Sequence, residues 1–392
     1  MEGLRKNVKR IDYLLLFALL GLAVFGCLAI LASTYGKSGT NVPANAFAKQ
    51  VMFEVLGTGA MALTASMDYR SLRKVYKWMY AVSVFLLVVV MFMPSRFGAH
   101  AWIPLGPLSF QPSELAKLAL IVAIAGYMAD VDESEFPDYG WKTALPVIGM
   151  FLVPFALTLK EPALGQALVM FAITFFMYMV FAKRSYFLLM FGLFVLVIAG
   201  LTAVALAYSE QAVVVIQWMV KHHLLQGFQA QRILTWLDPN YSLTQYGYNV
   251  HQAQIAVGSG QVFGEGFLNG IETRGNWIPN QWTDFIFTAV AEEFGFVGSS
   301  LLILFFLLLF DRLVRIAAGS QDTFGTYIVV GIVAMFAFQV FENIGMNMYL
   351  SPSTGITLPF ISYGGSSLII NYVAVGLALS VSLRRKALRF TG

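Results

Sequence analysis

The sequence predicts an all-α polytopic membrane protein: ten transmembrane helices with a long, partly helical extracellular loop between spans seven and eight. Three observations predict it. Of 392 residues, 58% are hydrophobic and 12% charged, whereas a soluble domain carries about a quarter charged residues. Apolar runs of about twenty residues, the length that crosses a bilayer, recur from end to end. The basic residues segregate between alternate loops, and that asymmetry fixes orientation. The mean hydropathy is +0.71.

The first apolar run, 12–33, follows MEGLRKNVKR. It is long for a signal-peptide core and no small-residue cleavage site follows, so it reads as an uncleaved span. Spans two and three are expected at 46–67 and 76–94, and span four at 110–129. Span four opens SFQPSELAKLAL. Pro112 suits a first helical turn, and Glu114 and Lys117, three apart, share a face and can neutralise each other. Spans five to seven follow at 143–159, 163–182 and 185–208. The loop 209–282 then holds an amphipathic stretch, VVVIQWMVKHHLL, suited to the membrane surface, then QRILTWLDP and the glycine-rich IAVGSGQVFGEGFLNG. Structureless loops of this length are uncommon, so it is expected to be folded.

Span eight, 283–310, opens with Asp284. As one helix it would set Asp284, Thr288 and Glu292 in a polar stripe, with Glu292 about 12 Å deeper. Span nine, 323–349, carries Glu342, Asn343 and Asn347 near one end, and span ten, 356–383, begins LPFISYGGSS. No fixed-period repeat interrupts this plan, and 1–392 reads as a single integral membrane domain.

With the N-terminus in the cytoplasm, the inside segments hold 17 of the 25 Lys and Arg residues and the outside segments 7; Lys117 lies within a span. Both termini are therefore expected inside and the long loop outside. The net charge of +4 is modest, and no clustered basic surface suggests nucleic acid. Cys27 is the only cysteine, which excludes an intrachain disulfide, and four scattered histidines make no zinc pattern.

In this orientation the embedded polar groups, Glu54 among them, concentrate in the outer half. Charges at membrane depth cost several kcal/mol unless they face the bundle interior or water. A proton or ion path needs polar groups through the inner half as well. The distribution therefore suggests a cavity open to the outer face over a sealed floor. Plainer readings stand beside this one. Glu114 and Lys117 can be a packing pair, YGGSS can serve close helix contact, and the loop glycines can supply positive φ. GSGQVFGEG is neither a Rossmann nor a Walker pattern. Asp284 sits at the water boundary, where it can cap a helix, act as a general base or hold a divalent cation. Lys117, Lys160, Arg232 and Arg274 are available for a phosphorylated group. Together these suit a lipid-linked pyrophosphate, and composition leaves open whether it is moved or reacted.

Several long segments, in order, carry a resemblance: GAHAWIPLGPLSFQPSELAKLAL, KEPALGQAL, RILTWLDP, GYNVHQAQIAVGSGQVFGEGFLNG, WTDFIFTAVAEEFGFVG and NIGMNMYLSPSTGITLPFISYGGSS. They cover nearly the whole chain. It resembles the SEDS family (shape, elongation, division and sporulation), with NIGM and TGITLPFISYGGSS closer to its RodA branch. The resemblance implies a ten-span peptidoglycan glycosyltransferase of the bacterial cytoplasmic membrane. It would polymerise lipid II, the undecaprenyl-pyrophosphate disaccharide-pentapeptide, at the outer face, with a class B penicillin-binding protein transpeptidase as partner.

The family's essential acid falls on Asp284, its QPSE.AK motif on Gln111 to Lys117, and its SYGGSS on Ser362 to Ser367. The expected substrate-binding set is Lys117, Glu114, Arg232, Lys160, Ser362, Tyr363 and Gly364. No metal ligand is assigned, though Mg or Mn can share the pyrophosphate. Two departures stand out. Ala101 precedes Trp102 where many members have Arg, and Ala163 replaces an Asp, so that Asp is either dispensable or replaced by nearby Glu161. An α-linked donor and a β-1,4 product require one inversion, hence one base, and Asp284 is the expected base. The rival readings are a lipid II flippase and a non-catalytic scaffold.

Overall fold

The computed structural model describes all residues except 1–11, 38–44, 95–100, 106–107, 136, 138, 162, 208, 223–226, 238–245 and 385–392. The N-terminal basic cluster, Arg385, Lys386 and Arg389 of the C-terminal one, Arg96 and the Asp-Pro of RILTWLDP thus lie outside the described residues. The rest is predominantly helical. The helices are α1 (Tyr13–Thr34), α2 (Ala46–Ser66), α3 (Leu72–Val90), α4 (Pro112–Asp132), α5 (Trp141–Lys160), α6 (Leu164–Phe181) and α7 (Arg184–Ala207), then the shorter α8 (Ser209–Lys221), α9 (Gly227–Leu237), α10 (Tyr246–Ser259) and α11 (Ile271–Gly275), and finally α12 (Ile286–Ala318), α13 (Thr323–Asn347) and α14 (Gly365–Leu383). A two-stranded antiparallel hairpin, β1 (Ile103–Leu105) and β2 (Leu108–Phe110), precedes α4. Six helices, α1, α5, α6, α12, α13 and α14, are both long and apolar enough to cross a membrane. The chain is thus a multi-pass membrane protein.

Local chemistry sets the helix ends. Asp12 caps α1 by accepting from the Leu15 N–H, and Asp322 caps α13 through Gly325. Pro112 opens α4, where its missing N–H costs nothing. At 21 residues α4 is about 31 Å long, a bilayer's thickness. It is the central post, packed by α3, α5, α6, α13 and α14. Its residues from Leu118 to Gly126 are all buried and apolar, so α4 carries no polar side chain through the middle of the bundle. Around it, α2 pairs closely with α14 and α1 with α12. Gly57 makes the first contact possible, because a Cβ there would collide with the Tyr372 ring.

One end of the bundle is tied by ion pairs. Arg70 meets Asp322 at 3.0 Å, Arg73 meets Asp130 at 2.8 Å and Glu133 at 2.7 Å, and Arg312 meets Asp12 at 2.8 Å. Each contributes little singly; together they gather the starts of α1, α3 and α13 with the ends of α4 and α12. Gln111, at the other end of α4, therefore marks the opposite end of the molecule.

The described residues of 209–282 form α8 to α11 and the turns between them. In α8, Ile216 packs on Ala230 and Leu234 of α9, while Val214, Val215 and Trp218 are exposed. Most boundaries shift by a few residues from the sequence reading, α3 for example lying at Leu72–Val90 rather than 76–94, and three of the shifts concern the helices around Asp284. The eighth helix begins at Ile286 rather than 283, so Asp284 lies in the turn before it. The helix also runs on to Ala318, past the expected 310. The last begins at Gly365 rather than 356, because Gly355 (φ 76), Pro359 and Phe360 (φ 65) hold 356–364 in a non-helical run.

The expected Asp284–Thr288–Glu292 stripe does not form. Asp284 is not helical, Thr288 donates to the Phe285 carbonyl at 2.6 Å, and Glu292 caps α11. That carboxylate accepts from the N–H groups of Glu272 (2.7 Å) and Thr273 (3.0 Å) and from the Thr273 hydroxyl (2.6 Å). The loop reaches so far because α12 is broken at Gly295 (φ 62, ψ −158). The N–H groups of Phe296 and Val297 donate to Gln261 and Val262, and those of Glu265 and Gly266 donate to Glu292 and Glu293. GSGQVFGEG thus completes the backbone pairing of a broken helix. Gly264 is required there, since a Cβ would strike the Glu293 backbone.

Candidate functional site

At the end opposite the ion pairs lies a cavity of about 550 Å³. Its wall is assembled from distant parts of the chain. Trp102, Ser109 and Gln111 come from the hairpin and the approach to α4, Ala163, Gly165 and Gln166 from the start of α6, and Arg232 and Asn249 from α9 and α10. The remainder comes from the turn Pro279–Phe285, Met346 of α13, the segment Ser353–Thr357 after it, and Tyr363–Ser367 at the start of α14.

The charged centre is Asp284 with Arg232. Both lie against Gly355: a Cβ built there would stand 3.2 Å from Asp284 Oδ2 and 3.2 Å from Arg232 Nη1. With φ at 76°, Gly355 adopts a backbone other residues rarely take, and it leaves room for the two groups to converge. Asp284 is half-buried on the cavity wall. Burial pushes its carboxyl above the ordinary aspartate range; the Arg232 guanidinium and the Thr283 hydroxyl oppose that rise without cancelling it.

The turn carrying Asp284 is held through its backbone. The Trp282 carbonyl accepts from the Tyr363 N–H at 2.8 Å, and the Thr283 carbonyl from the Ser362 hydroxyl at 2.7 Å. The Asp284 carbonyl accepts from Asn343 Nδ2 at 2.8 Å and Asn347 Nδ2 at 3.1 Å. The neighbouring Phe285 carbonyl is engaged by Thr288.

The sequence-predicted residues divide into two groups. Asp284, Arg232, Tyr363 and Gly364 line one cavity. Ser362 does not line it; it is buried and braces the turn, also accepting from the Leu358 N–H at 2.8 Å. Lys117 and Glu114 are wholly buried and stand one layer behind the wall. Lys117 Nζ lies 3.0 Å from Glu114, whose other oxygen accepts from the cavity-lining Gln166 at 2.9 Å. They can reach a ligand only through Gln166. Lys160 ends α5, exposed and off the wall, and Arg274 is also off the wall.

At the departures, Ala101 is buried beside the lining Trp102, and the position facing the cavity is Ala163, not Glu161. Glu161 is fully buried, and neither carboxylate oxygen has a hydrogen-bond partner among the described residues. Burial pushes its carboxyl up to about 8. The sequence reading gave no role to Gln166, Gly355 or the two asparagines. The only signal for the asparagines was their i, i+4 spacing in an otherwise apolar helix. Among the described residues no three acidic, histidine or cysteine side chains converge as a metal site.

The family model FTSW_RODA_SPOVE, described as cell cycle protein, matches residues 12–387. The chain is 32% identical over 402 residues to a probable peptidoglycan glycosyltransferase FtsW of Trichlorobacter lovleyi, covering 100% of this chain and 99% of that one. A chain from a structural study of how a peptidoglycan synthase complex coordinates polymerization and crosslinking superposes with a TM-score of 0.73 at 31% identity, covering 95% of this chain and 97% of that one. The rod shape determining protein RodA of Thermus thermophilus superposes with a TM-score of 0.65 at 26% identity, covering 96% and 98%. The chain is also 30% identical to the peptidoglycan glycosyltransferase MrdB of Escherichia coli, covering 96% of this chain and 95% of that one, so identity does not separate the branches of the family.

Proposed function

The chain belongs to the FtsW/RodA/SpoVE (SEDS) family, matched over residues 12–387, and on that premise we propose that it is a peptidoglycan glycosyltransferase polymerising lipid II. One observation carries the chemistry: a carboxylate and a guanidinium converge at Gly355 on the wall of a cavity sized for a polar head group.

Asp284 is the general base. It takes the proton from the acceptor's 4-hydroxyl as that oxygen bonds to the donor's anomeric carbon. The bond to the pyrophosphate breaks on the opposite face, giving one inversion. A base of this kind contributes roughly 10²–10⁴-fold, most when its pKa approaches the working pH. The raised Asp284 carboxyl moves in that direction. Arg232 bears on the charge that develops on the leaving pyrophosphate. Gln166, Tyr363 and Gly364 shape the wall, and Glu114 with Lys117 holds Gln166 from behind. Among the described residues Asp284 is the one carboxylate on the wall, so a Mg or Mn ion would take Asp284 and complete its oxygen shell from substrate and water. Bound there, it would neutralise pyrophosphate charge.

For topology, ten helices of at least 18 residues correspond to the ten expected spans. The ion-paired end falls on the side that the basic-residue bias assigns to the cytoplasm. The cavity and the 209–282 loop then face outside, both termini lie inside, and one domain spans 1–392. A class B penicillin-binding protein transpeptidase is the proposed partner, supported by the likeness to a chain of a synthase complex that also crosslinks. NIGM and TGITLPFISYGGSS favour elongation and cell shape as its role.

The test is purified protein with labelled lipid II, with and without the transpeptidase and Mg or Mn. Glycan strands are expected, and Asp284→Asn should abolish them while leaving thermal unfolding unchanged. Transfer of lipid II across liposomes without polymer would instead establish a flippase. Full activity of Asp284→Asn would remove Asp284 as the base.

A further inference from the structure

We propose that Asn343 is a positioning residue for Asp284: its carboxamide fixes the distance between the turn carrying the carboxylate and the segment on which that carboxylate rests. The inference depends on the reading of Asp284 as the base.

A carboxamide nitrogen carries two protons, and Asn343 gives both to backbone carbonyls. One goes to Asp284 at 2.8 Å and the other to Ile356 at 2.7 Å. Ile356 follows Gly355, the residue against which Asp284 and Arg232 both lie. A single side chain therefore bridges the backbone that bears the carboxylate and the backbone beneath it. Asn347, one turn further along α13, donates to the same Asp284 carbonyl at 3.1 Å and to the carbonyl of Asn343 at 2.7 Å. The second amide thus secures the first.

Position and chemistry both argue for this role over a substrate contact. Both asparagines are 0% exposed and neither lines the cavity. The Asp284 carbonyl lies before the α12 N-cap, Phe285, and the helix does not engage it: the Thr288 N–H goes to Phe285 instead. Buried carbonyls require donors. Only a neutral group with two N–H bonds serves both; a carboxylate would set acceptor against acceptor. A buried asparagine pair, off the wall yet bonded to the backbone of the proposed base, has the placement of a support for the site. Supports matter because a base misplaced by about 1 Å can cost on the order of 10²-fold.

The test compares Asn343→Leu, Asn343→Asp, Asn347→Leu, Ser362→Ala and Asp284→Asn, purified with the cognate transpeptidase and assayed on labelled lipid II. Leu keeps the branched four-atom skeleton and removes both donors. Asn343→Leu should lower kcat about ten- to hundredfold with KM within about twofold, and Asn343→Asp at least as much. Asn347→Leu, which leaves Asn343 in place, should lose about threefold by the same scaling. Arg232 is the charged group opposing the rise in the Asp284 carboxyl, so a displaced Asp284 feels it less. The acid limb of the pH–rate profile should move upward in Asn343→Leu.

A purely structural loss would instead reduce kcat by one factor at every pH and leave that limb in place, which would overturn the proposal. Unchanged kcat and acid limb in Asn343→Leu, with Asp284→Asn inactive, would overturn the positioning role alone. An active Asp284→Asn would overturn the reading beneath it. If thermal unfolding shows Asn343→Leu misfolded, Asn347→Leu and Ser362→Ala carry the comparison, and wild-type behaviour in both overturns the proposal.

Discussion

Gly355→Ala is the sharpest single perturbation of the site. The new methyl carbon would stand 3.2 Å from Arg232 Nη1, 3.2 Å from Asp284 Oδ2 and 3.6 Å from Arg232 Nη2. Comfortable contacts with carbon begin near about 3.5 Å, so both charged groups must retreat by a few tenths of an ångström. If 1 Å of misplacement costs about 10²-fold, that retreat costs about three- to tenfold in kcat. The φ of 76° adds a backbone penalty of about 1–2 kcal/mol for a residue with a Cβ. The assay pairs lipid II polymerisation with thermal unfolding in detergent. The expected result is a modest loss of stability with a loss of rate at nearly unchanged KM. Wild-type kcat in a folded Gly355→Ala protein would refute the claim that Asp284 and Arg232 act from this geometry.

Other outcomes follow from the same chemistry. Because burial holds the Asp284 carboxyl above its ordinary value, the acid limb of kcat/KM should lie above about 4; Arg232→Gln should move it higher, since the guanidinium now opposes the rise. Glu161 is raised from 4.5 to about 8, so the folded state holds a proton that the unfolded state releases between those values. Glu161 should therefore lower stability as pH rises from 4.5 towards about 8, with no further change above it, and thermal unfolding of Glu161→Gln across that window should show a shallower slope than the wild type. Lys117→Met strands a buried Glu114 and should cost about 3–5 kcal/mol. The double change with Glu114→Gln should recover part of that loss; equal unfolding temperatures for single and double variants would contradict the buried pair.

Much of the architecture was legible because hydropathy is a local property. Each of the ten apolar runs coincides with a helix of at least 18 residues, and among the described residues six of these helices are long and apolar enough to cross a membrane. The errors came where a tertiary partner overrides periodicity. Asp284, Thr288 and Glu292 share a helical spacing, yet a turn, a local hydroxyl bond and a loop cap claim them separately. The start of α14 was misplaced because positive φ at Gly355 and Phe360 is a demand of the packed chain and has no signature in composition.

The same division runs through the site. The sequence by itself determined that this is a multi-pass membrane protein, which motifs it carries and which acid stands at the edge of a span, because each of these is written in contiguous residues. Only the tertiary structure decided that Arg232 meets Asp284 over Gly355 and that Lys117 and Glu114 sit behind Gln166. Only it decided that two asparagines and Ser362 hold the turn by its carbonyls. Those contacts join residues far apart in the chain. Their partners are backbone oxygens, present at every residue, and only the packing of α12, α13 and the 353–364 segment selects which of them meet.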